Sequence, residues 1–595
     1  MANPDLAFAQ LFWDLMNRRT GELGHVDFLP QKPVCDLKSP IEQPFPRSTP
    51  EEQGISSSYL AALVRELAAN PHVNPHEFMV VRHGHVIYEG AFDPYKRGVW
   101  HVTYSMCKTF TGMAIGLLID EGKLHLDDAV LDILKPTRGY LGTLLMQVKF
   151  SGLTIRHLLT MSSGVAFNEV GAISGNTWTE SYFNARVKFD PGTKFEYNSM
   201  NSYILSAVVT ELTGKTMFEY LSEKIFLPMG ITKVFWETSP EGVTKAGWGM
   251  FLTQEDAAKL GCLYLNKGVW HGQRLLSREW VEEATKPQIE TGRETNPSYG
   301  YQLWMNNLPG SYTYNGMLGQ NVYVYPSLDL VVIINAGNDE VFAGGTMTKI
   351  IRKYFHKDYV PSDVPLPRDP VGELELATVR QKCEDPYGQA RIQGGGWGRG
   401  KTAAAESDYF FHQIDGRLYE MRSKGIGLFP LIMQVVHNNF TNGIAALRFE
   451  MKSGIMNLVF REGEDVYTLP VGMGRSRYSV VRLNQEEYLV GTKGRYGYNE
   501  DGEPVLSLRI AFIEEATERR LKIVFHDREN ITLQWDETPG NDIIQNILKM
   551  ITTGSGNTNF IVDSVMNHIN PELLEDAMQS AIEPVVNAVL VEKDM

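Results

Sequence analysis

The stretch Thr103–Leu124, "TYSMCKTFTGMAIGLLIDEGKL", decides the fold. It sets Ser105 and Lys108 three positions apart at the mouth of an apolar run. Positions three apart share a helix face, so the two side chains can touch. A serine at a helix N-terminus sits among unpaired backbone N–H groups at the positive end of the dipole, where developing negative charge is stabilised. That potential, with partial burial, lowers a lysine's hold on its proton and suits it to act as a base toward the hydroxyl. A bare Ser-x-x-Lys is common in long chains, where a capping serine beside an exposed lysine accounts for it. Here the following "TGMAIGLLIDEG" is apolar nearly all round and must be buried, which draws Lys108 into a site instead of bulk water. Ser105 is expected to cap this helix as well as to attack. Cys107 falls off the shared face and reads as packing.

Two further stretches supply partners. In "PGTKFEYNSMNSYILSAVVTELTG" (Pro191–Gly214), Tyr197 stands just before a helical segment, followed by Asn198 and Ser199. A tyrosine hydroxyl beside a lysine ammonium can carry a proton from nucleophile to leaving group. In "YTYNGMLGQNVYVYP" (Tyr312–Pro326), Gly316 and Gly319 stand at the start of a predicted strand. Glycine there lets substrate approach the backbone, and a strand N–H can pair with that of Ser105 as an oxyanion hole.

Outward from this centre the chain divides into parts. Residues 1–45 form a proline-bearing leader expected to drape over the next domain. Residues 46–360 carry a helix with the stripe Leu60, Leu63, Val64, Leu67, then a hairpin, "HEFMVVRHGHVIYEGAF". His83 and His85 flank the turn glycine without a third ligand and read as hairpin residues, not a metal site. The middle is mostly helical, and strands return in "NVYVYPSLDLVVIINAG", where Val331–Ile334 is a buried run. Helix first, strands last and helices between predict an α/β core whose sheet is closed by distant segments. Residues 361–405 read as a linker, with "GGGWGRG" (Gly394–Gly400) a flexible connection and not a phosphate loop, lacking the strand, helix and Lys-Ser/Thr pair. Alternating segments in 406–538 predict a mostly antiparallel β barrel or sandwich. Residues 539–595 are expected to be a helical tail, from the stripe Ile543, Ile544, Ile547, Leu548, Ile551 and a helix opened by Pro571.

The 595 residues carry a formal net charge of −15 and are 43% hydrophobic, which leaves no basic surface for nucleic acid or anionic membrane and enough apolar matter for several cores. The four cysteines, Cys35, Cys107, Cys262 and Cys383, are scattered without metal spacing, as free thiols in a reducing compartment are. No stretch reads as a signal peptide or bilayer span, so a cytoplasmic protein is expected, without membrane partner, as a possible homo-oligomer.

These ordered motifs resemble the serine β-lactamase and penicillin-binding-protein-like hydrolases, in the class C, esterase and D-aminopeptidase branch. The resemblance runs from about Pro50 to Tyr354 and includes "LTIRHLLTMSSGV", "GMFLTQEDAAKLGCLYLNKGVWHGQRLLSREWVEEAT" and "GQNVYVYPSLDLVVIINAG". It implies a β-lactamase-like α/β core with a helical subdomain, Ser105 as acylated nucleophile, Lys108 as proton acceptor and Tyr197 as acid/base. The sequence departs from the family twice. The tyrosine motif, commonly Y-x-N, is Tyr197-Asn198-Ser199. The third motif, K-T-G or H-T-G in many relatives, is Tyr314-Asn315-Gly316, which makes Met317 the second oxyanion donor and removes the cation that would hold a substrate carboxylate. Trp178 and Tyr182 are candidate pocket residues on a loop over the cleft; Glu169 reads as a solvated loop carboxylate.

The expected function is a serine hydrolase of a small ester or amide, with neither metal nor organic cofactor. A D-aminopeptidase or ω-amino-oligomer amidase is the alternative within the class, needing an acid such as Glu169, Glu180 or Glu196 for the substrate's amine. A non-catalytic binding protein that kept the fold is the alternative outside it.

Overall fold

The computed structural model describes residues 31–135, 146–169, 175–339, 344–386, 399–423, 427–540 and 583–591, with the isolated positions 14 and 172. Helix α1 (Ser57–Ala69) buries the predicted stripe, and its first turn is tied down by Ser57, whose backbone N–H and hydroxyl both donate to the Glu51 carboxylate. Strands β1 (Pro75–Arg82) and β2 (His85–Ala91) form the predicted hairpin, turning at His83 and Gly84 in the left-handed region. A short strand β3 (Trp100–Val102) runs into the 3-10 turn Tyr104–Cys107 and helix α2 (Lys108–Asp120), buried from Lys108 to Leu118. Helix α3 (Ser199–Thr213) crosses α2, and strand β4 (Met250–Thr253) pairs with β3 before helix α4 (Gln254–Leu265). Strands β5 (Tyr312–Gly316), β6 (Gln320–Tyr325) and β7 (Leu330–Ala336) return to complete an eight-stranded antiparallel sheet in the order β2-β1-β7-β6-β5, extended by three two-residue strands.

Both faces of this sheet are covered, which is why β6 and β7 read as continuous apolar runs. Val322, Val324, Val331 and Ile333 join one core with α2 and α4, while Tyr323, Val332 and Ile334 join the other with α1. The segment read as a linker contains a helix, α5 (Pro370–Glu384), with Pro370 in its first turn and Asp369 accepting from Gly372 N–H at 3.0 Å. It carries Leu376 and Val379 into the α1 core. Gly394–Gly398 lie outside the described residues, and Arg399 begins helix α6 (Arg399–Ile414).

The C-terminal part is a nearly closed, almost wholly antiparallel barrel of eleven strands. In chain order these are β8 (Leu418–Met421), β9 (Ile444–Lys452), β10 (Ile455–Glu462), β11 (Asp465–Pro470), β12 (Gly472–Met473), β13 (Arg477–Leu483), β14 (Glu486–Tyr498), β15 (Pro504–Phe512), β16 (Glu518–Phe525), β17 (Asn530–Thr538) and β18 (Val585–Val591). The predicted apolar faces of β15, β16 and β17 line its interior, and Phe410, Phe411 and Ile414 of α6 enter the same core. Strand β18 corrects the reading of 539–595 as all helix: it lies between β8 and β17 and pairs with both. The stripes at Ile543–Ile551 and after Pro571 lie outside the described residues. Among the described residues, no helix is long and apolar enough to cross a membrane.

Candidate active site

The serine and lysine meet. Lys108 Nζ donates to Ser105 Oγ at 2.7 Å and to Gly247 O at 2.7 Å. The lysine is 1% exposed, so its amine faces the site and not bulk solvent. Ser105 is not a helix cap, contrary to expectation. It sits inside the 3-10 turn, whose cap position is taken by Thr103, and its hydroxyl is occupied by the lysine. Thr103 fixes the turn from below, with its N–H and hydroxyl both donating to Met250 O (2.8 and 3.0 Å) and its carbonyl accepting from Met106 N–H (3.1 Å). Cys107 is fully buried, and burial pushes its thiol up to about 12, so packing is its role.

Three other elements converge on this pair. Tyr197 reaches it from the start of α3, its ring centre 4.9 Å from Lys108 Nζ. The ring stacks on Trp304 (5.6 Å, 22°) and stands edge-on to Tyr299. Asn198 is the helix cap, accepting from Met200 N–H at 2.9 Å, and its amide donates to the carbonyls of Val165 and Phe167. Ser199 is buried against Gly247, where a Cβ on the glycine would come 2.8 Å from the serine Cβ. Only glycine therefore lets the loop bring its carbonyl onto the lysine. Glu169 is bound and not merely solvated: its Oε1 accepts from Ser199 N–H at 3.0 Å, at the positive end of α3.

Strand β5 closes the remaining side. At its end Gly316 lies so close to the turn carrying Ser105 that a Cβ there would fall 2.2 Å from Thr103 O. Met317 follows, half-buried, and then Leu318 in the left-handed region at φ 64. Asn315 donates to Asn321 Oδ1 at 2.6 Å and is buried, at 9% exposed.

Three expected pocket residues are corrected. Tyr314 is 0% exposed, because strand alternation sends its ring between Phe110 and Tyr264 on the α4 side. Trp178 belongs to a short helix, Trp178–Asn184, and stacks on Trp248 (5.5 Å, 24°) behind the Gly247 loop. Tyr182 is equally buried, donating to Asn201 Oδ1 at 2.8 Å. All three are packing. Of the acids considered for an amine, Glu196 is engaged by Lys188 at 2.8 Å, and Glu169 is the one bonded to α3.

Several contributors were not read from the sequence. Gly247 acts through its carbonyl, for which side-chain patterns give no signal, although "KAGWG" directly precedes the "GMFLT" motif. Trp304 and Arg293, whose guanidinium lies 5.2 Å from the Trp304 ring centre, form an aromatic and cationic flank beside Tyr197. Burial lowers the Arg293 pKa from its ordinary value. Behind the loop, Lys245 Nζ pairs with Glu237 at 2.5 Å, and Glu237 also meets His437, which ends a short helix (Leu431–His437) between β8 and β9. Burial would raise the Glu237 pKa, but the flanking Lys245 and His437 charges outweigh it and hold it at about 2. Among the described residues no group of three His, Cys, Asp or Glu is placed to hold a metal ion.

Residues 60–343 match the Beta-lactamase family model. The 6-aminohexanoate-dimer hydrolase of Paenarthrobacter ureafaciens is 27% identical over 288 residues, covering 43% of this chain and 71% of that protein. Protein flp of Staphylococcus aureus (strain NCTC 8325 / PS 47) is 27% identical over 139 residues, 22% of this chain and 26% of its own length. A penicillin binding protein structure from Bacillus halodurans aligns with a TM-score of 0.38 at 18% identity, over 49% of this chain and 97% of that one.

Proposed function

Since residues 60–343 are a domain of the β-lactamase family of hydrolases, we propose that the protein is a serine hydrolase of small amides or esters working through an acyl-Ser105 intermediate. The observation that carries this reading is the 2.7 Å contact between Lys108 Nζ and Ser105 Oγ, with the lysine buried and held by Gly247 O. A buried lysine within hydrogen-bond distance of a hydroxyl, and fixed there by a second contact to Gly247 O, has the geometry for proton transfer between the two.

In the proposed reaction, Ser105 Oγ attacks the substrate carbonyl carbon while its proton passes to the lone pair of Lys108 Nζ, the proposed base. The carbonyl oxygen becomes an oxyanion facing the N–H groups of Ser105 and Met317. Tyr197, beside the lysine, relays the proton to the leaving amine or alcohol, and the C–N or C–O bond breaks. Water then attacks the acyl-serine, returns its proton through the same pair and releases the acid. Asn315, Ser199 and Gly316 border the place where substrate lies.

An amide of an amino acid is the substrate class favoured within this reading. The relative in Paenarthrobacter ureafaciens is named for hydrolysis of the 6-aminohexanoate dimer. Glu169, bonded to Ser199 N–H, offers a carboxylate near the site for a substrate ammonium. Penicillins are disfavoured, because the position of the family's cationic third-motif residue holds a buried tyrosine. The test compares a nitrophenyl ester, a D-amino-acid amide, the linear 6-aminohexanoate dimer and penicillin G on wild type and Ser105→Ala. The reading expects amide or ester turnover that falls by several orders of magnitude in the variant. Undiminished turnover in Ser105→Ala would remove it.

A further inference from the structure

The turn joining β15 to β16, Ile513-Glu514-Glu515-Ala516-Thr517, is a hairpin tip with essentially no solvent exposure: 2%, 0%, 0%, 0% and 1% residue by residue. Hairpin tips ordinarily face water, and two adjacent buried glutamates are costly unless each carboxylate is engaged. Both are. Glu514 receives Lys32 Nζ at 2.7 Å, Trp100 Nε1 at 2.6 Å and Cys35 N–H at 2.6 Å. Glu515 Oε1 faces His437 Nε2 at 3.2 Å, and the other nitrogen of that imidazole meets Glu237.

What the tip touches is the backbone of the candidate active site. Val102 N–H, three residues before Ser105, donates to Glu514 O at 2.8 Å. Tyr104, directly before the nucleophile, is left-handed at φ 44 and buries its ring in the apolar cluster of the barrel. Leu318, directly after Met317, is left-handed at φ 64 and enters the same cluster. Side chains other than glycine persist in that conformation only where their surroundings hold them. The charge chain Glu515–His437–Glu237–Lys245 ends in the loop whose Gly247 carbonyl holds Lys108, and Lys245 N–H donates to Glu237 O at 2.9 Å.

We propose that the buried Ile513–Thr517 tip of the barrel is a positioning element of the hydrolase site. It clamps β3 and Tyr104 behind Ser105 and, through His437 and Glu237, anchors the loop that holds Lys108. This rests on the serine-hydrolase reading above. None of the tip residues touches substrate; they act through the backbone on either side of the oxyanion hole.

The test uses the full chain with Glu515→Gln, which keeps shape and removes the charge facing His437. A fluorophosphonate titrates competent sites, so turnover is read per titrated site and unfolded molecules do not count. Hydrogen exchange of peptides covering residues 100–108 and 245–250 reads the clamp without catalysis. The expected result is a loss in kcat of about 10- to 100-fold with KM nearly unchanged, as misplacement by a fraction of an ångström to 1 Å produces, together with faster exchange in both peptides. Unchanged kcat per titrated site and unchanged exchange would overturn the proposal. If Glu515→Gln fails to fold, Leu318→Ala, which keeps every charge, is read in the same way. If wild type takes no label at Ser105, the hydrolase reading fails, and exchange alone decides the clamp: faster in both peptides supports it, unchanged refutes it.

Discussion

Replacing Gly316 by alanine should damage the site without unfolding the protein. The added Cβ would lie 2.2 Å from Thr103 O and 2.9 Å from Gln320 Cβ. Close carbon-to-oxygen contacts settle near ~3.3 Å, so about 1 Å must be absorbed. The strand side has little room to give, since β5 pairs with β6 from Tyr312 to Gly316. The turn side therefore yields, and the same Thr103 carbonyl accepts from Met106 N–H within the turn that carries Ser105. A displacement of about 1 Å at reacting groups costs roughly 100-fold in rate. Overpacking of one methyl costs about 1–3 kcal/mol, less than the stability of an ordinary domain. Gly316→Ala should thus lose about 100-fold in kcat and in its second-order labelling rate with a fluorophosphonate, while its unfolding transition shifts by only a few degrees. Wild-type labelling and turnover in a folded Gly316→Ala protein would refute the geometry ascribed to β5 and the nucleophile turn.

Other perturbations separate the roles of neighbouring groups. Lys108→Arg should be as inactive as Lys108→Met, because a guanidinium stays protonated and cannot serve as base; measurable labelling of the arginine variant would contradict that role. Tyr197→Phe should lose about 100- to 10,000-fold in amide turnover yet retain much of its fluorophosphonate labelling, since fluoride leaves without a proton; equal losses in both assays would argue against proton relay. Glu169→Gln should raise KM for substrates bearing a free amine and leave nitrophenyl ester kinetics alone, and a shift common to both would make Glu169 a helix cap only. Burial would push the His437 imidazolium down, but the carboxylates of Glu237 and Glu515 outweigh it and hold its pKa up at about 10. Lys245, Lys32, Tyr104, Tyr488 and Cys107 are other titratable groups set against these two carboxylates. A raised folded pKa stabilises fully below the unfolded value near 6.5 and is lost as pH climbs toward 10. Urea unfolding between pH 7 and 9.5 should show stability falling by on the order of 1.4 kcal/mol per pH unit from this one proton, with a flatter profile in His437→Gln.

The Ser105–Lys108 pair was legible because an i,i+3 spacing survives into the structure even though the serine lies in a 3-10 turn. The core strands were legible for the same local reason: Val331–Ile334 is apolar at each position because both faces of β7 are covered. Tyr314 was misread because a motif fixes a position in the chain but not the face of the strand, and alternation with Val322 and Val324 turns it inward. Trp178 and Tyr182 look like loop aromatics in sequence, yet a seven-residue helix folds both into the core. Strand β18 was missed because "VVNAVLV" is too short an apolar run to distinguish strand from helix by periodicity. Helix α5 had its signal, Asp369-Pro370 at the N-terminus, and was obscured by the prolines before it. The contacts of the Ile513–Thr517 tip join residues up to 482 positions apart, a distance at which no local pattern speaks.

The central claim is that Ser105 is an activated nucleophile. It is tested most directly by intact mass and peptide mapping after brief exposure of wild type and Ser105→Ala to a fluorophosphonate. The account predicts a single adduct on wild type, mapped to Ser105, and none on the variant. An unlabelled wild-type protein, or an adduct that persists in Ser105→Ala, would contradict it.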